Sequence, residues 1–176
     1  YSLLDSYGSL FAYQTANNNS ESLFQLQWLT GSTDAIGWGC NNAMQAFFAW
    51  STMVGETNWG NATYASYDLV REYDPQDRIR RHNTICTVGE YYSELNSKNG
   101  GYTYNVTESG YDNKCNIKKH VIGKIDDNGQ SYQQSSGVNT YMMRLAEVYL
   151  NLAEAILGNN ASTTDETALT YFNKVR

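Results

Sequence analysis

This sequence predicts a mainly α-helical domain with long irregular loops and a small β-hairpin, and three observations carry that prediction. Apolar residues fall at positions 142, 145, 149, 152 and 156, with a second row at 146, 150, 153 and 157. Such spacings lay a wide apolar stripe along a helix. A second apolar face follows at Ala168, Leu169, Phe172 and Val175, behind Thr163 and Glu166 spaced as a capping box. Between residues 121–125 and 130–134, Asp126-Asp127-Asn128-Gly129 supplies a turn that tolerates positive φ, which makes a hairpin of the flanking runs.

Taken in order, Leu3, Leu4, Tyr7, Leu10 and Phe11 recur at helical spacing, so a helix is expected over residues 1–13, broken by Asn17-Asn18-Asn19-Ser20. Residues 23–29 alternate imperfectly between apolar and polar and predict a short strand. Residues 31–64 read mostly as loop, with a helical turn within 43–50. Gly31, Gly37, Gly39, Gly55 and Gly60 loosen the backbone there, and asparagine side chains compete for its hydrogen bonds. Phe47, Phe48 and Trp50 are assigned to the core. Trp38 and Trp59 each sit beside glycine, so little neighbouring side chain covers their faces. A helix from Tyr67 ends near Glu72-Tyr73, because Asp74-Pro75 opens a turn, and Asp77 with Arg78 ties that turn to the body as an ion pair. Residues 140–176 form a helical pair. Asn139 or Thr140 caps its first helix and Gly158 ends it, with Leu145 and Leu152 in the buried stripe. Two antiparallel helices on a short link make an αα-hairpin, the unit of tetratricopeptide-like stacks, which bury their faces against neighbours.

The run Arg144-Leu145-Ala146-Glu147-Val148-Tyr149-Leu150-Asn151-Leu152-Ala153-Glu154-Ala155, followed by Ala168-Leu169 and Asn173-Lys174-Val175-Arg176, resembles the late helical signature of the SusD/RagB family. Glu21-Ser22-Leu23-Phe24-Gln25-Leu26-Gln27-Trp28, then Leu69-Val70 leading to Asp77-Arg78, agree with it in order and approximate spacing. The resemblance implies an outer-membrane lipoprotein that binds glycans or other nutrients at the surface of a Gram-negative bacterium. It implies a partner too, a SusC-like TonB-dependent transporter into which ligand is released. Family members are longer, so the 176 residues are expected to be a single-domain fragment, incomplete at both ends. A secretion signal and a lipid-bearing Cys would lie upstream of Tyr1, and membrane attachment would come only through that lipid.

Composition narrows the function classes. With 41% hydrophobic and 17% charged residues the chain is globular rather than disordered. A formal charge of −6 opposes phosphate-backbone binding, and Asp74 and Asp77 offset the one tight basic cluster, Arg78, Arg80 and Arg81, so no nucleic-acid partner is expected. No run approaches the ~20 apolar residues of a membrane span. Cys40, Cys86 and Cys115 fit no zinc spacing and are expected to be free, partly buried thiols, with one disulfide as the alternative in an exported protein. His82 and Cys86, four apart, lack further ligands nearby, and the acidic turn at 126–129 lacks the rest of a calcium loop. No metal or cofactor is implied.

Two functions from different classes fit. A glycan-binding protein answers the apolar C–H face of a sugar with an aromatic plane and its hydroxyl edge with amides. Residues 36–64 are rich in both, with Trp38 and Trp59 as stacking candidates and Asn58, Asn61 and Tyr64 as hydroxyl contacts. If a sugar covers on the order of 100 Å² of one ring, the gain is ~2.5 kcal/mol, while lost rigid-body freedom costs about 4 kcal/mol or more. An arc of aromatics over several sugars is therefore required, with affinity between roughly micromolar and millimolar. A glycoside hydrolase instead needs two carboxylates about 5–10 Å apart. Glu56 and Glu90 lie near aromatics but form no evident pair, and Glu147 and Glu154 sit on the packing helix. The more serious rival is a structural part of an uptake complex, or one whose ligand is a peptide.

Overall fold

The computed structural model describes residues 1–29, 42–54, 63–105, 114–129 and 136–176. Among them the elements run β1 (Ser22–Leu26), α1 (Met44–Phe48), α2 (Ser51–Val54), β2 (Tyr64–Ser66), α3 (Tyr67–Glu72), α4 (Arg78–Thr84), β3 (Tyr91–Tyr92), β4 (Tyr102–Thr103), β5 (Lys114–Asn116), α5 (Ile125–Asn128), β6 (Thr140–Arg144), α6 (Leu145–Leu157) and α7 (Glu166–Val175). Helices dominate, as the sequence predicts. The described strands form three antiparallel pairs, β1–β6, β2–β5 and β3–β4. Two compact units divide these elements.

The first unit holds residues 1–5, 18–26 and 140–176. Here the expected helical pair forms. Tyr149 in the second turn of α6 meets Tyr171 past the middle of α7, with ring centroids 4.8 Å apart, and Lys174 in the last turn of α7 places its ammonium 5.5 Å from the Tyr149 centroid, so the helices run in opposite directions. Buried Ala146 and Ala168 keep both surfaces low, and Gly158 takes a positive φ of 56° where α6 stops. Asp165, not Thr163, caps α7. Its carboxylate accepts from the Thr167 and Ala168 amides at 2.9 and 3.0 Å, which places Glu166 too early in the helix to close a capping box.

Two further expectations for this unit are corrected. The helix does not begin at Asn139 or Thr140, because Thr140–Arg144 extends as β6, with Tyr141 opposite Gln25 and Thr140 opposite Leu26. Glu21 is the physical reason. Its buried carboxylate accepts from Arg144 Nη1 at 2.6 Å and from the Leu4 amide at 3.0 Å, and its carbonyl accepts from the Leu145 amide at 2.9 Å. This knot holds Arg144 extended at the start of α6. The apolar stripe is also only half covered: Leu152 is 38% exposed, and Leu169 and Phe172 are exposed as well. Truncating Leu152 therefore removes less buried surface than a core deletion does.

The second unit holds residues 6–17 and 27–139. Its opening is not part of a helix over 1–13 but a single 3-10 turn at Tyr7–Leu10. Ser6, Gly8 and Ser9 are poor helix formers, and Gly8 admits the Asn83 side chain, whose Oδ1 would stand 2.7 Å from any added Cβ. Met53, Val54, Cys86, Tyr92, Leu95, Tyr104 and Val121 form the main core, with Phe48 and Trp50 packed on it. Cys86 and Cys115 are free and buried, as expected of thiols here; Cys40 lies outside the described residues. After α3, Asp77 caps α4 beyond the Asp74-Pro75 turn. Its ionic partner is Arg80, at 3.6 Å, rather than Arg78, because the cap aims its carboxylate at the Arg80 amide.

The hairpin expected over 121–134 is absent from its described part. Residues 125–128 form the helical turn α5, closed by Gly129 at φ 76°. The Asp127 carboxylate gathers the amides of Lys124, Asn96 and Ser97 at 2.9, 2.8 and 2.7 Å. The Ile122 and Gly123 amides, which a strand would have used in a ladder, donate instead to the buried Gln45 side chain at 2.7 and 3.2 Å. A small antiparallel pair is found at β3–β4 instead. Within 31–64, α1 agrees with the helical turn expected there, and α2 replaces a stretch assigned to loop.

Candidate functional site

Of the five candidate ligand contacts, Tyr64 is placed by the structure. Trp38, Asn58, Trp59 and Asn61 lie outside the described residues. Tyr64 opens β2, whose pleat turns Tyr64 and Ser66 outward and buries Ala65. The Ser66 hydroxyl accepts from the Leu69 amide and so starts α3 directly after the strand. Across the ladder, Tyr64 faces Asn116 of β5.

Asn116 is a residue that sequence reasoning missed. It is 3% exposed, and its side chain both donates and accepts within the fold. Its Nδ2 donates to the Phe48 carbonyl at 2.7 Å, its Oδ1 accepts from the Tyr104 hydroxyl at 2.9 Å, and its carbonyl accepts from the Cys86 amide at 2.9 Å. One side chain thus joins β5, the end of α1 and the main core. A second tie runs from the Thr63 amide to the Phe47 carbonyl at 3.3 Å. Phe47 itself corrects an expectation. Phe48 and Trp50 pack on the core as predicted, but Phe47 is 39% exposed, the same fraction as Tyr64. The short helix buries Gln45 and Ala46, the former for its hydrogen bonds to residues 122 and 123, and this turns Phe47 outward.

Tyr64 does not line a cleft found elsewhere among the described residues. That cleft, of about 350 Å³, lies between the 3-10 turn, α4 and the 118–128 segment, and Phe11, Tyr13, His82, Asn83, Glu94, Lys118 and Asn128 line it among others. Its charges are mutually satisfied. The buried Lys118 ammonium donates to the Val121 carbonyl and pairs with Glu94, both at 3.1 Å. Burial alone would push Glu90 up, but hydrogen bonds from Thr87 and the charges of Arg81 and His82 outweigh it and hold Glu90 below its ordinary value. The balance at Asp127 runs the same way, with hydrogen bonds from Ser97, Lys124 and Asn96 overcoming burial. His82 stacks on Tyr92 at 4.5 Å, and no described cluster of His, Cys, Asp or Glu could hold a metal ion.

His120, edge-on to Phe11 at 5.3 Å, gives a pH prediction. Burial, reinforced by the Lys119 charge, pushes its pKa down to about 4. In the unfolded chain a histidine titrates near ~6.5, so unfolding takes up a proton between these values. Stability is therefore full above pH ~6.5, falls as pH drops towards 4, and loses up to about 3 kcal/mol by that route. Glu90 and Asp127 lose their contributions only lower, as pH passes their depressed values. The melting temperature of the parent should fall across this window. His120→Asn, which tolerates the φ of 67° found here, should flatten the fall, and equal slopes for both proteins would overturn the assignment.

No described helix is long and apolar enough to cross a membrane. A family model described as the SusD family matches residues 5–176. A SusD-like protein of Bacteroides ovatus is 42% identical over 178 residues, covering 99% of this chain and 30% of that protein. A crystal structure with xylogluco-oligosaccharide has 40% identity and a TM-score of 0.85, over 99% of this chain and 34% of that one. A SusD-like protein from Bacteroides fragilis shares the fold at 20% identity, with a TM-score of 0.50 over 98% of this chain and 39% of that one. The chain spans about a third of the length of the first two relatives.

Proposed function

The chain belongs to the SusD family, and from that premise we propose that it binds oligo- or polysaccharide without catalysis at a bacterial outer surface. One observation carries the reading: a protein 40% identical over nearly the whole chain was crystallised with a xylogluco-oligosaccharide. In this reading Trp38 and Trp59 stack on the sugar faces, while Asn58, Asn61 and Tyr64 meet its hydroxyls. The helical pair α6–α7 serves as one unit of a tetratricopeptide-like scaffold, and its half-exposed stripe suits stacking against further helices. The whole protein is held at the outer membrane by a lipid on an upstream segment and passes its ligand to a TonB-dependent transporter.

The test is titration of xylogluco-oligosaccharide into the parent, Trp38→Ala and Trp59→Ala, with a thermal melt of each. Losing ~100 Å² of stacking surface is worth ~2.5 kcal/mol, so each variant should bind tens of times more weakly at an unchanged melting temperature. If both variants unfold, or both bind as the parent does, these two residues are not the stacking surface.

A further inference from the structure

We infer that Asn99 is a site of spontaneous deamidation, and that the fold shields Asn128, which stands in the same Asn-Gly setting. This goes beyond the glycan-binding reading and does not depend on it.

Two Asn-Gly pairs occur in the sequence, Asn99-Gly100 and Asn128-Gly129. In such a pair the glycine amide nitrogen can attack the asparagine Cγ, because no glycine Cβ obstructs the approach. A bond forms between that nitrogen and Cγ, and the Cγ–Nδ2 bond breaks. The glycine amide proton, passed through solvent, completes the departing ammonia. Water then opens the cyclic imide. Opening at Cγ leaves aspartate in an ordinary peptide bond, while opening at the main-chain carbonyl leaves isoaspartate, with the chain routed through the side chain. Water is the sole co-reactant, and either product adds one negative charge.

The first step needs the asparagine side chain to turn onto the next amide, so its rate follows how readily the local backbone opens. Asn128 is tightly held. Its Nδ2 donates to the Ile122 carbonyl at 2.7 Å, and the Gly129 amide donates to the Ile125 carbonyl, also at 2.7 Å. The residue is half-buried in the wall of the cleft. Next to it, the Asp127 carboxylate pins α5 through the amides of Lys124, Asn96 and Ser97. That grip on the facing segment reaches Ser97, two residues short of Asn99. Asn99 itself is exposed, at the end of the 3-10 turn Ser97–Asn99. Its Nδ2 donates to the Asn96 side chain at 3.0 Å, and the Gly100 amide donates to the Ser97 carbonyl at 3.2 Å. Exposed hydrogen bonds of this kind exchange for water at little net cost. Gly100 and Gly101 follow with φ of 84° and 93°, so two permissive residues lie just past the reacting bond.

The same surroundings set the consequence. Asn96 Oδ1 accepts from Asn99 Nδ2 and from Lys124 Nζ, both at 3.0 Å. Deamidation replaces the Asn99 donor with a carboxylate and turns acceptor against acceptor. Isoaspartate also lengthens the main chain between Asn96 and Gly101, where the Gly101 amide donates to the Asn96 carbonyl at 3.2 Å. Deamidated molecules are therefore less stable than the parent.

The experiment is incubation of the intact chain at slightly alkaline pH and physiological temperature, followed by peptide mapping with mass spectrometry. Conversion reads as a mass gain equal to water less ammonia in the peptide that carries each site. In the folded chain Asn99 should convert at least about tenfold faster than Asn128, and in urea the two rates should come within about threefold, since no opening is then required. Anion exchange separates the more negative product, which should melt below the parent, and Asn99→Asp should reproduce part of that shift. Equal rates in the folded chain, or an Asn99 that stays intact while the urea-unfolded chain converts, would overturn the proposal. A tenfold difference that persists in urea would place the selectivity in the sequence and overturn the shielding by the fold. A product that melts with the parent would overturn the consequence drawn at Asn96.

Discussion

Replacing Tyr92 with alanine is expected to lower the unfolding free energy by about 3–5 kcal/mol. Its side chain is wholly buried at the centre of the main core, against Met53, Val54, Leu95, Tyr104 and Val121. The ring also organises the polar layer above that core. His82 stacks on it, the Lys118 ammonium lies 5.5 Å from its centroid, and its hydroxyl donates to Glu90 Oε2 at 3.2 Å. Burial, together with the nearby Cys86 and Glu90, raises its pKa far above the usual phenol value, so it stays a donor at any pH the fold survives. Truncation opens a cavity and leaves Lys118 and His82 without the face they cover. Tyr92→Phe keeps the ring and should cost only about 1–2 kcal/mol, the worth of one buried hydrogen bond. Urea unfolding of the two variants separates the terms, and an alanine variant within 1 kcal/mol of the parent would remove Tyr92 from the centre of the core.

Glu21→Ala is expected to cost about 3 kcal/mol, because it strips the partner from a largely buried charge. The Arg144 side chain is a quarter exposed, so water recovers part of the loss, while the Leu4 amide also loses its acceptor. Glu21→Gln keeps an acceptor for that amide and should cost less. Adding Arg144→Met to Glu21→Ala should restore part of the stability, since an apolar pair no longer leaves a guanidinium stranded. A double variant less stable than Glu21→Ala alone would show that Arg144 contributes mainly through something other than this ion pair.

These two residues mark where the sequence is legible and where it stops. The paired helices could be read, because 3–4 spacings and the Gly158 stop are local signals, and α3 ends where Asp74-Pro75 requires. The start of α6 could not, because the residue that keeps Arg144 extended lies 123 positions away. The same limit governs residues 121–128. Their composition suits a hairpin, but Asn96, Ser97 and Gln45, far off in sequence, claim the amides and carboxylate a hairpin would have used. At the candidate site, a Gly- and Asn-rich setting singles out Tyr64 as a candidate, and the structure exposes it at the start of β2. Phe47 was not legible, since nothing in Met44-Gln45-Ala46-Phe47-Phe48 says which of two adjacent phenylalanines faces water. Asn116 gave no signal either, being one more asparagine in a chain full of them.

The two buried thiols make the fold its own clock. Burial pushes the Cys86 thiol up to about 12, so at neutral pH only about one molecule in 10⁵ carries the reactive thiolate, and Cys115 is shifted the same way by its own burial. An alkylating reagent therefore has to wait for the chain to open. Its rate at Cys86 reports how often the layer around Tyr92 comes apart, and its rate at Cys115 how often β2 and β5 separate. In an oxidising compartment the same protection keeps each sulfur reduced for as long as the polypeptide stays folded, so an oxidised Cys86 would be a lasting record that the molecule had once been open.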